Sequence, residues 1–317
     1  MVKAPIFEPS VSCLGCGQQE WQLLGKVKRF GFAYQVCVCK HCGLVAQIPP
    51  LAPEVISDYY SRGFNRRSYN EDFPVIYRSM RKPSAFRLDY FQKHGVLGAG
   101  ARVLEIGPGA GTMMKLLTDR KLTVEGVEPD EDAVKWLREE LSLTVHQGLF
   151  EAVYKQKKEE WHAAPFDLIV ICHALEHLPD PISVLRSCSQ ILRSDGAVFL
   201  EVPNVLKPFN DGFKWDGDFC DPGHLYFFSL KSLARLVRQS GFQVINLTDN
   251  SFYPYWNLWC LARPASEAPR FSEEKDDPAE INKIWQRYVR FHKVKWLLKF
   301  WPKRSLYLFL KALRLVA

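Results

Sequence analysis

The chain has 317 residues, of which 47% are hydrophobic and 24% are charged, proportions that are ordinary for a soluble globular protein. No apolar run approaches the ~18 residues of a membrane-spanning helix, and no apolar region follows Lys3 as in a signal peptide. We therefore expect a cytoplasmic protein. The net charge of +7 is misleading, because residues 281–317 hold ten Lys and Arg and no acid, which leaves 7 − 10 = −3 for the first 280 residues. A negative core is a poor partner for a polyanion such as nucleic acid.

A cysteine cluster occupies residues 10–48. Cys13 and Cys16 form one C-x-x-C pair, and Cys39 and Cys42 form a second pair further along. Such a cluster within an odd total of nine cysteines argues against a disulfide framework. Two matched pairs supply the four thiolates of a tetrahedral zinc site. We predict a zinc-ribbon module that holds one structural Zn²⁺ through these four residues, with a redox role as the alternative.

Residues 49–99 are predicted to form a linker and a helical cap. The segment begins with three prolines, continues through an aromatic and basic stretch (SDYYSRGFNRRSY) and reaches a predicted helix near 84–94.

Residues 100–263 alternate short apolar runs with helical patterns, which indicates a parallel sheet with crossover helices. The runs are rich in Val, Ile and Leu, as expected of strands buried on both faces. We predict strands at 101–107, 122–128, 143–148, 166–172 and 196–202, and helices at 110–120, 131–141, 181–193 and 229–240. Two closely spaced runs at 242–248 and 255–262 predict a final antiparallel strand pair.

The first predicted strand runs into a glycine loop, VLEIGPGAGT, with Gly107, Gly109 and Gly111 at alternate positions. Glycine lets backbone N–H groups approach a ligand closely. Thr112 stands where the dinucleotide fingerprint G-x-G-x-x-G requires its third glycine, so the spacing does not fit NAD.

Two acidic residues indicate which ligand the loop binds. Glu128 ends the second strand, where a carboxylate can accept both hydroxyl hydrogens of a ribose. Glu105 lies two positions before the first glycine, where it would repel a pyrophosphate but suits a cationic amino group. S-adenosylmethionine has a ribose and an amino group and no phosphate, so we predict it as the cofactor.

These segments resemble the class I S-adenosylmethionine-dependent methyltransferases. The resemblance rests on the E-x-G-x-G-x-G of 105–111, on Glu128, and on FDLIVICHALEHLPDP after strand four. LRSDGAVFLEVPN and GHLYFFSLKSLARLVRQSGF look like a subgroup that acts on sugars and other small metabolites. The resemblance implies an α/β fold with a Rossmann-like core, and it implies these cofactor-binding residues: Glu105, Gly107, Gly109, Glu128, Phe150 and His173.

Three histidines are candidates for chemistry. His173 and His177 spell H-x-x-E-H, a zinc-peptidase pattern, but that chemistry needs the motif inside a helix and here it follows a strand. The resemblance places His173 near the cofactor and His177 near the substrate. His224 follows strand five and could remove a proton from the acceptor. A hydrogen-bonded loop position for His177 and a helix-capping role for His224 are the alternatives, and Tyr69 and Tyr226 are the next candidates for the base.

A zinc module before this core resembles two kinds of methyltransferase, those acting on nucleotide-linked sugars and those acting on ribosomal RNA bases. The negative core and the HALEH segment disfavour RNA. Gly223 stands where the sugar enzymes have an acid, which weakens the case for carbon methylation. We predict histidine-assisted methyl transfer to a sugar or related small metabolite, free or linked to a nucleotide or lipid. An RNA methyltransferase and a non-catalytic binding protein with this fold are the alternatives.

After a linker at 264–280, residues 281–317 form a basic tail rich in aromatic and leucine side chains. This composition is typical of helices that lie in a membrane interface. We predict a helical tail that attaches peripherally to an anionic membrane. Packing on the core or on a second subunit is the alternative.

Overall fold

The computed structural model describes residues 11–29, 32–61, 72–206, 221–250, 257–266 and 275–287. These residues form a seven-stranded sheet, which holds the predicted core, and a four-stranded sheet built largely from the N-terminal segment.

The four-stranded sheet is antiparallel throughout and carries the cysteine cluster at one end. Its strands stand in the order β1-β2-β3-β9. Their bounds are β1 (Trp21–Arg29), β2 (Phe32–Cys39), β3 (Val45–Gln47) and β9 (Tyr226–Phe227). Because β9 comes from the loop that contains His224, the N-terminal segment and the core share one sheet.

The seven-stranded sheet has the order β10-β11-β8-β7-β4-β5-β6. Its strands are β4 (Arg102–Ile106), β5 (Thr123–Glu128), β6 (Thr144–Gln147), β7 (Phe166–Cys172), β8 (Leu192–Pro203), β10 (Phe242–Asn250) and β11 (Asn257–Pro264). Strands β4 to β8 pair in parallel, and β11 is antiparallel to both β8 and β10. The predicted Rossmann-like sheet with a final antiparallel pair is confirmed. The strand order reverses between β4 and β7, where open α/β sheets bind ligands.

Among the described residues, three helices precede β4 and five more lie between β4 and β10. They are α1 (Pro53–Ser61), α2 (Phe73–Ser79), α3 (Arg81–Lys93), α4 (Thr112–Thr118), α5 (Glu131–Glu139), α6 (Phe150–Ala163), α7 (Pro181–Ile191) and α8 (Leu230–Gln239). Five of them lie where helices were predicted. The sequence did not predict α6. A charged run (KQKKEE) interrupts the apolar pattern of its buried residues, which are Phe150, Val153 and Trp161.

The N-terminal segment packs directly on α8. The Arg235 guanidinium donates to the carbonyl of Cys42 at 3.3 Å, and the Gln239 side-chain amide donates to the carbonyl of Gly15 at 2.9 Å. Buried residues of the cysteine cluster and of α8 belong to one hydrophobic core. The cysteine cluster is therefore tied to the helix that follows the His224 loop.

The first residues of the predicted tail lie in a helix over 278–287. Ile281 and Trp285 are buried in the hydrophobic cluster of the four-stranded sheet. Residues 288–317 lie outside the described ranges, so their attachment to a membrane stays a prediction, as do the domain boundaries and the cytoplasmic location. Among the described helices, none is long and apolar enough to cross a bilayer.

Candidate active site

The glycine loop lies between the end of β4 and the start of α4, at the point where the strand order reverses. The Gly107 N–H donates to the carbonyl of Val127 at 2.9 Å, which ties the loop to β5. Gly107 has φ +74°, and a Cβ there would meet the Cβ of Ala174 at 3.0 Å. A side chain at this position would therefore push the loop away from the turn that follows β7.

Glu128 ends β5 and is 4% exposed. One carboxylate oxygen accepts the N–H of Gly109 at 3.0 Å, and the other accepts the N–H of Asp130 at 3.0 Å. Burial raises the pKa of Glu128 to about 7. The carboxylate thus fixes the glycine loop, and because each oxygen has a second lone pair, it can still accept two hydroxyl hydrogens.

Glu105 lies inside β4 beside the glycine loop and is 4% exposed. Its Oε2 has no hydrogen-bond partner. Burial raises the pKa of Glu105 to about 8, against the opposing charge of Arg87. A buried carboxylate oxygen without a donor fits a ligand that brings an ammonium group. The loop, Glu128 and Glu105 together therefore fit S-adenosylmethionine.

A buried ion pair that sequence reasoning missed supports the adjacent strand ends. Arg87 of α3 binds both carboxylate oxygens of Glu201 on β8, at 2.6 and 2.8 Å. Burial alone would raise the pKa of Glu201, but the charges and hydrogen bonds of Arg87 and His173 together outweigh burial and hold that pKa well below its usual range. The Asn257 side-chain amide donates to the same carboxylate at 2.6 Å. No local sequence signal relates these residues, which lie more than fifty positions apart.

His173 follows β7 with φ +52°, an uncommon backbone conformation for a residue with a side chain. Its Nε2 lies 3.1 Å from Glu201 Oε1, and its Nδ1 lies 3.6 Å from Glu176 Oε1. Burial opposes a charge on this ring, but the two carboxylates outweigh burial and raise the pKa of His173 to about 9. At neutral pH the ring is therefore a cation.

His177 and His224 lie together, with ring centroids 4.6 Å apart. His177 ends a 3₁₀ turn over Leu175–His177, and its Nδ1 contacts the Gly223 carbonyl at 3.0 Å and the Tyr60 hydroxyl. Burial and the neighbouring His224 lower the pKa of His177 to about 4, so that ring is neutral at pH 7. The structure brings the two predicted histidines to one point.

Hydrogen bonds join the loop that carries His224 to α1, to β3 and to the 3₁₀ turn over Leu175–His177. Asp221 accepts the Gly223 N–H at 2.7 Å and the Tyr59 hydroxyl at 3.0 Å. The Gln47 N–H donates to the Leu225 carbonyl at 2.8 Å, and the Leu225 N–H donates to the Glu176 carbonyl at 2.9 Å.

Sequence reasoning did not single out Tyr59 and Tyr60 of α1, although the aromatic stretch SDYY was the available signal. A Cβ at position 223 would overlap the Tyr60 hydroxyl, so the loop has glycine where Tyr60 contacts His177.

Three candidate residues remain: Phe150, Tyr226 and Tyr69. Phe150 is 3% exposed and stacks on Tyr154 and Trp161, so its predicted role in cofactor binding stays a prediction. The Tyr226 hydroxyl donates to the Pro179 carbonyl at 3.0 Å. Tyr69 lies outside the described residues.

Comparison with known proteins identifies the family of this chain. The profile of a family described as "Methyltransferase domain" matches residues 77–247, more than half of the chain. The chain belongs to the methyltransferase-domain family. The predicted class I S-adenosylmethionine-dependent methyltransferase is thereby confirmed at the level of family and fold.

Two relatives of the methyltransferase carry the name "Ubiquinone biosynthesis O-methyltransferase". That of Actinobacillus pleuropneumoniae serotype 5b (strain L20) is 36% identical over 129 residues, covering 39% of this chain and 55% of the relative. That of Azoarcus sp. (strain BH72) is 26% identical over 194 residues, covering 59% of this chain and 83% of the relative. The chain thus spans about half the length of the first relative. A solved "SAM dependent methyltransferase" from Archaeoglobus fulgidus is a distant likeness, with 18% identity, a TM-score of 0.43 and coverage of 63% of this chain and 98% of its own.

The methyltransferase carries a four-cysteine cluster at the end of its N-terminal sheet. Sγ of Cys13 lies 3.6 Å from Sγ of Cys42, and Sγ of Cys16 lies 3.6 Å from Sγ of Cys39. All four sulfur atoms lie within 4.8 Å of one another. A tetrahedral ion with Zn–S bonds of about 2.3 Å separates its sulfurs by about 3.8 Å. The cluster therefore has dimensions that fit one zinc ion.

The Arg87–Glu201 pair gives a stability prediction for the methyltransferase. Arg87→Met leaves the Glu201 carboxylate buried without its cation, so the free energy of unfolding should fall by about 3–5 kcal/mol. Guanidinium denaturation measures this change. Arg81→Met removes an exposed arginine from the same helix and should change stability by less than about 0.5 kcal/mol. Equal effects of the two substitutions would contradict the role of the buried pair.

Proposed function

We propose that the methyltransferase transfers a methyl group from S-adenosylmethionine to a hydroxyl of a sugar or related small metabolite. The observation that carries the proposal is the contact of His177 with His224 on the turn after β7, because Ala174 of the same turn lies against Gly107 of the proposed cofactor loop. The names of the relatives support oxygen as the acceptor atom. The negative charge of the first 280 residues supports a small-metabolite acceptor over RNA.

The cofactor would be held by groups at the ends of β4 and β5. We infer that Glu105 pairs with the ammonium group, that Glu128 accepts the ribose hydroxyls, and that the backbone at Gly107 and Gly109 lies against the ligand. The sulfonium supplies an electrophilic methyl group with a good leaving group already in place. What remains for the protein is to position the acceptor and to take its proton.

One of the two paired histidines would take that proton. The acceptor O–H bond breaks, its electron pair stays on oxygen for the new bond to carbon, and the proton moves to a ring nitrogen. A neutral imidazole can act as this base, and the pKa of His177 favours the neutral ring. His173, which is a cation, would instead lie toward the cofactor.

Cofactor binding should release a proton. Because the pKa of Glu105 is raised to about 8, the carboxyl is mostly protonated at pH 7, and an ammonium beside it should lower that pKa and ionise it. Calorimetry with S-adenosylmethionine at pH 7, in two buffers of different ionisation enthalpy, should show release of up to about one proton. Glu105→Gln should weaken binding and lower that number.

Glu128→Ala should cost about 1.5–3 kcal/mol of binding free energy, as expected for hydrogen bonds to a charged group. Glu139→Gln, on the exposed face of α5, is the control and should change neither the binding free energy nor the number of protons released. Wild-type affinity in both Glu105→Gln and Glu128→Ala would show that the cofactor binds elsewhere.

The acceptor class can be tested with methyl-labelled S-adenosylmethionine. Nucleotide-linked sugars, a hydroxylated aromatic compound and ribosomal RNA would be offered separately, and the label should appear in a small molecule. His177→Ala and His224→Ala should lower turnover, by about 100-fold for the residue that is the base, while cofactor affinity changes little. Label in RNA would favour the alternative of an RNA methyltransferase. Tight cofactor binding without transfer to any acceptor would favour a binding protein.

We also propose that Cys13, Cys16, Cys39 and Cys42 hold one structural zinc ion. Four thiolates close the coordination sphere, so the ion would have no open position for catalysis. The spacing of the four sulfur atoms supports this site. So does the hydrogen bond from Arg235 to the Cys42 carbonyl, which links the cluster to α8.

Elemental analysis should find one zinc ion per chain in protein purified without chelator. Cys39→Ala should lose the metal, because three thiolates bind zinc less tightly than four. Cys37→Ala is the matched control, since Cys37 is buried on the same strand and lies outside the cluster. Loss of zinc should disturb the sheet shared with β9 and lower turnover more than cofactor affinity. Wild-type protein without zinc would refute this site.

A further inference from the structure

Glu176 is an anomaly in the described part of the chain. It lies in the 3₁₀ turn over Leu175–His177, is 1% exposed, and neither of its carboxylate oxygens has a hydrogen-bond partner. Buried carboxylates are normally hydrogen-bonded or paired, because leaving one without a partner is costly. His173 pairs with this carboxylate only at 3.6 Å, beyond hydrogen-bond distance, so a further cation that forms beside it during the reaction would explain its position.

Three imidazole rings surround the carboxylate. His173 Nδ1 lies 3.6 Å and His177 Nε2 lies 4.0 Å from Oε1, both beyond hydrogen-bond distance. His224 completes the group, since one of its ring nitrogens lies within 4.8 Å of a carboxylate oxygen of Glu176 and of a ring nitrogen of His177. Two of these rings are the proposed proton acceptors, and the third already carries a charge.

The turn is held so that Glu176 cannot easily rotate away from these rings. Its backbone carbonyl accepts the Leu225 N–H at 2.9 Å, which fixes the turn to the loop that carries His224. Its neighbour Leu175 is fully buried in the hydrophobic core. The carboxylate is therefore presented to the histidine pair by two connected segments.

We propose that Glu176 is a positioning residue whose carboxylate balances the imidazolium formed when the histidine pair takes the acceptor's proton. This inference rests on the proposed function, since it assigns Glu176 a role toward the same pair. In the resting site the carboxylate attracts His173. When the proton leaves the acceptor oxygen for a ring nitrogen, the new cation lies about 4 Å from a buried negative charge, where attraction is stronger than in water.

The other titratable groups that face the turn do not replace Glu176 in this role. Asp221 is occupied by the Gly223 N–H and the Tyr59 hydroxyl. Glu201 is neutralised by Arg87. The Tyr60 hydroxyl contacts the opposite nitrogen of His177, where it orients the ring and brings no negative charge.

The test is a titration of the histidine rings by NMR in the full-length protein, with no acceptor present. Glu176→Gln keeps the shape of the side chain and removes its charge. The pKa of His173 should fall by about one pH unit or more, and any titration of His177 or His224 within the measured range should move to lower pH. Glu176→Asp, which restores the charge, should recover most of the wild-type titration. Glu139→Gln is the control and should leave the titrations unchanged.

Turnover supplies a second readout. Glu176→Gln should lower kcat about tenfold or more and leave the Kd for S-adenosylmethionine within about threefold, with partial rescue by Glu176→Asp. Unchanged histidine titrations in folded Glu176→Gln would overturn the proposal. So would a second metal ion per chain that disappears in this variant, because a metal would then balance the carboxylate. Normal titration shifts without methyl transfer to any acceptor would instead refute the proposed function.

Discussion

The architecture of this site depends on how four carboxyl groups are buried at one edge of a parallel sheet. Glu105, Glu128, Glu176 and Glu201 lie at or just beyond the carboxyl ends of four strands, and each is at most 4% exposed. Buried carboxyl groups are tolerated when they are paired or hydrogen-bonded. Glu201 has Arg87 as its cation, and Glu128 has two backbone N–H groups. Glu105 and Glu176 retain oxygens without hydrogen-bond partners. They stand where the ammonium of the cofactor and the imidazolium of the histidine pair are proposed.

The second constraint is that segments far apart in the chain hold His177 and the loop that carries His224 in place. Tyr59 and Tyr60 come from α1, and Gln47 comes from β3. The loop between β8 and α8 gains its fixed conformation by pairing with the N-terminal sheet, since β9 is a strand of that sheet. Cys39 ends β2 and Cys42 precedes β3, which pairs with β9, so the cysteine cluster is joined through this sheet to the loop that carries His224.

The strands of the core could be predicted because both faces are buried and the sequence is nearly continuous in Val, Ile and Leu. The glycine loop and Glu128 were also evident, because their spacing reflects local backbone geometry. Helix α6 was not predicted, since its apolar face is interrupted by a run of charges. The Arg87–Glu201 pair and the contact of Tyr60 with His177 join segments more than one hundred positions apart, which no local pattern encodes. Glu176 is part of the HALEH segment, but the sequence did not indicate a role for it. Its burial without a hydrogen-bond partner, which only the structure shows, is the basis of the role proposed for it.

We propose that the buried acids left without partners mark the ligand positions of this methyltransferase. A crystal structure of the full chain with S-adenosylhomocysteine, the demethylated product, tests the claim most directly. We predict that the ligand's ammonium lies within hydrogen-bond distance of Glu105 Oε2, that its ribose lies on Glu128, and that its sulfur faces the His177–His224 pair. A ligand bound elsewhere, or one that leaves Glu105 Oε2 without a donor, would contradict the account.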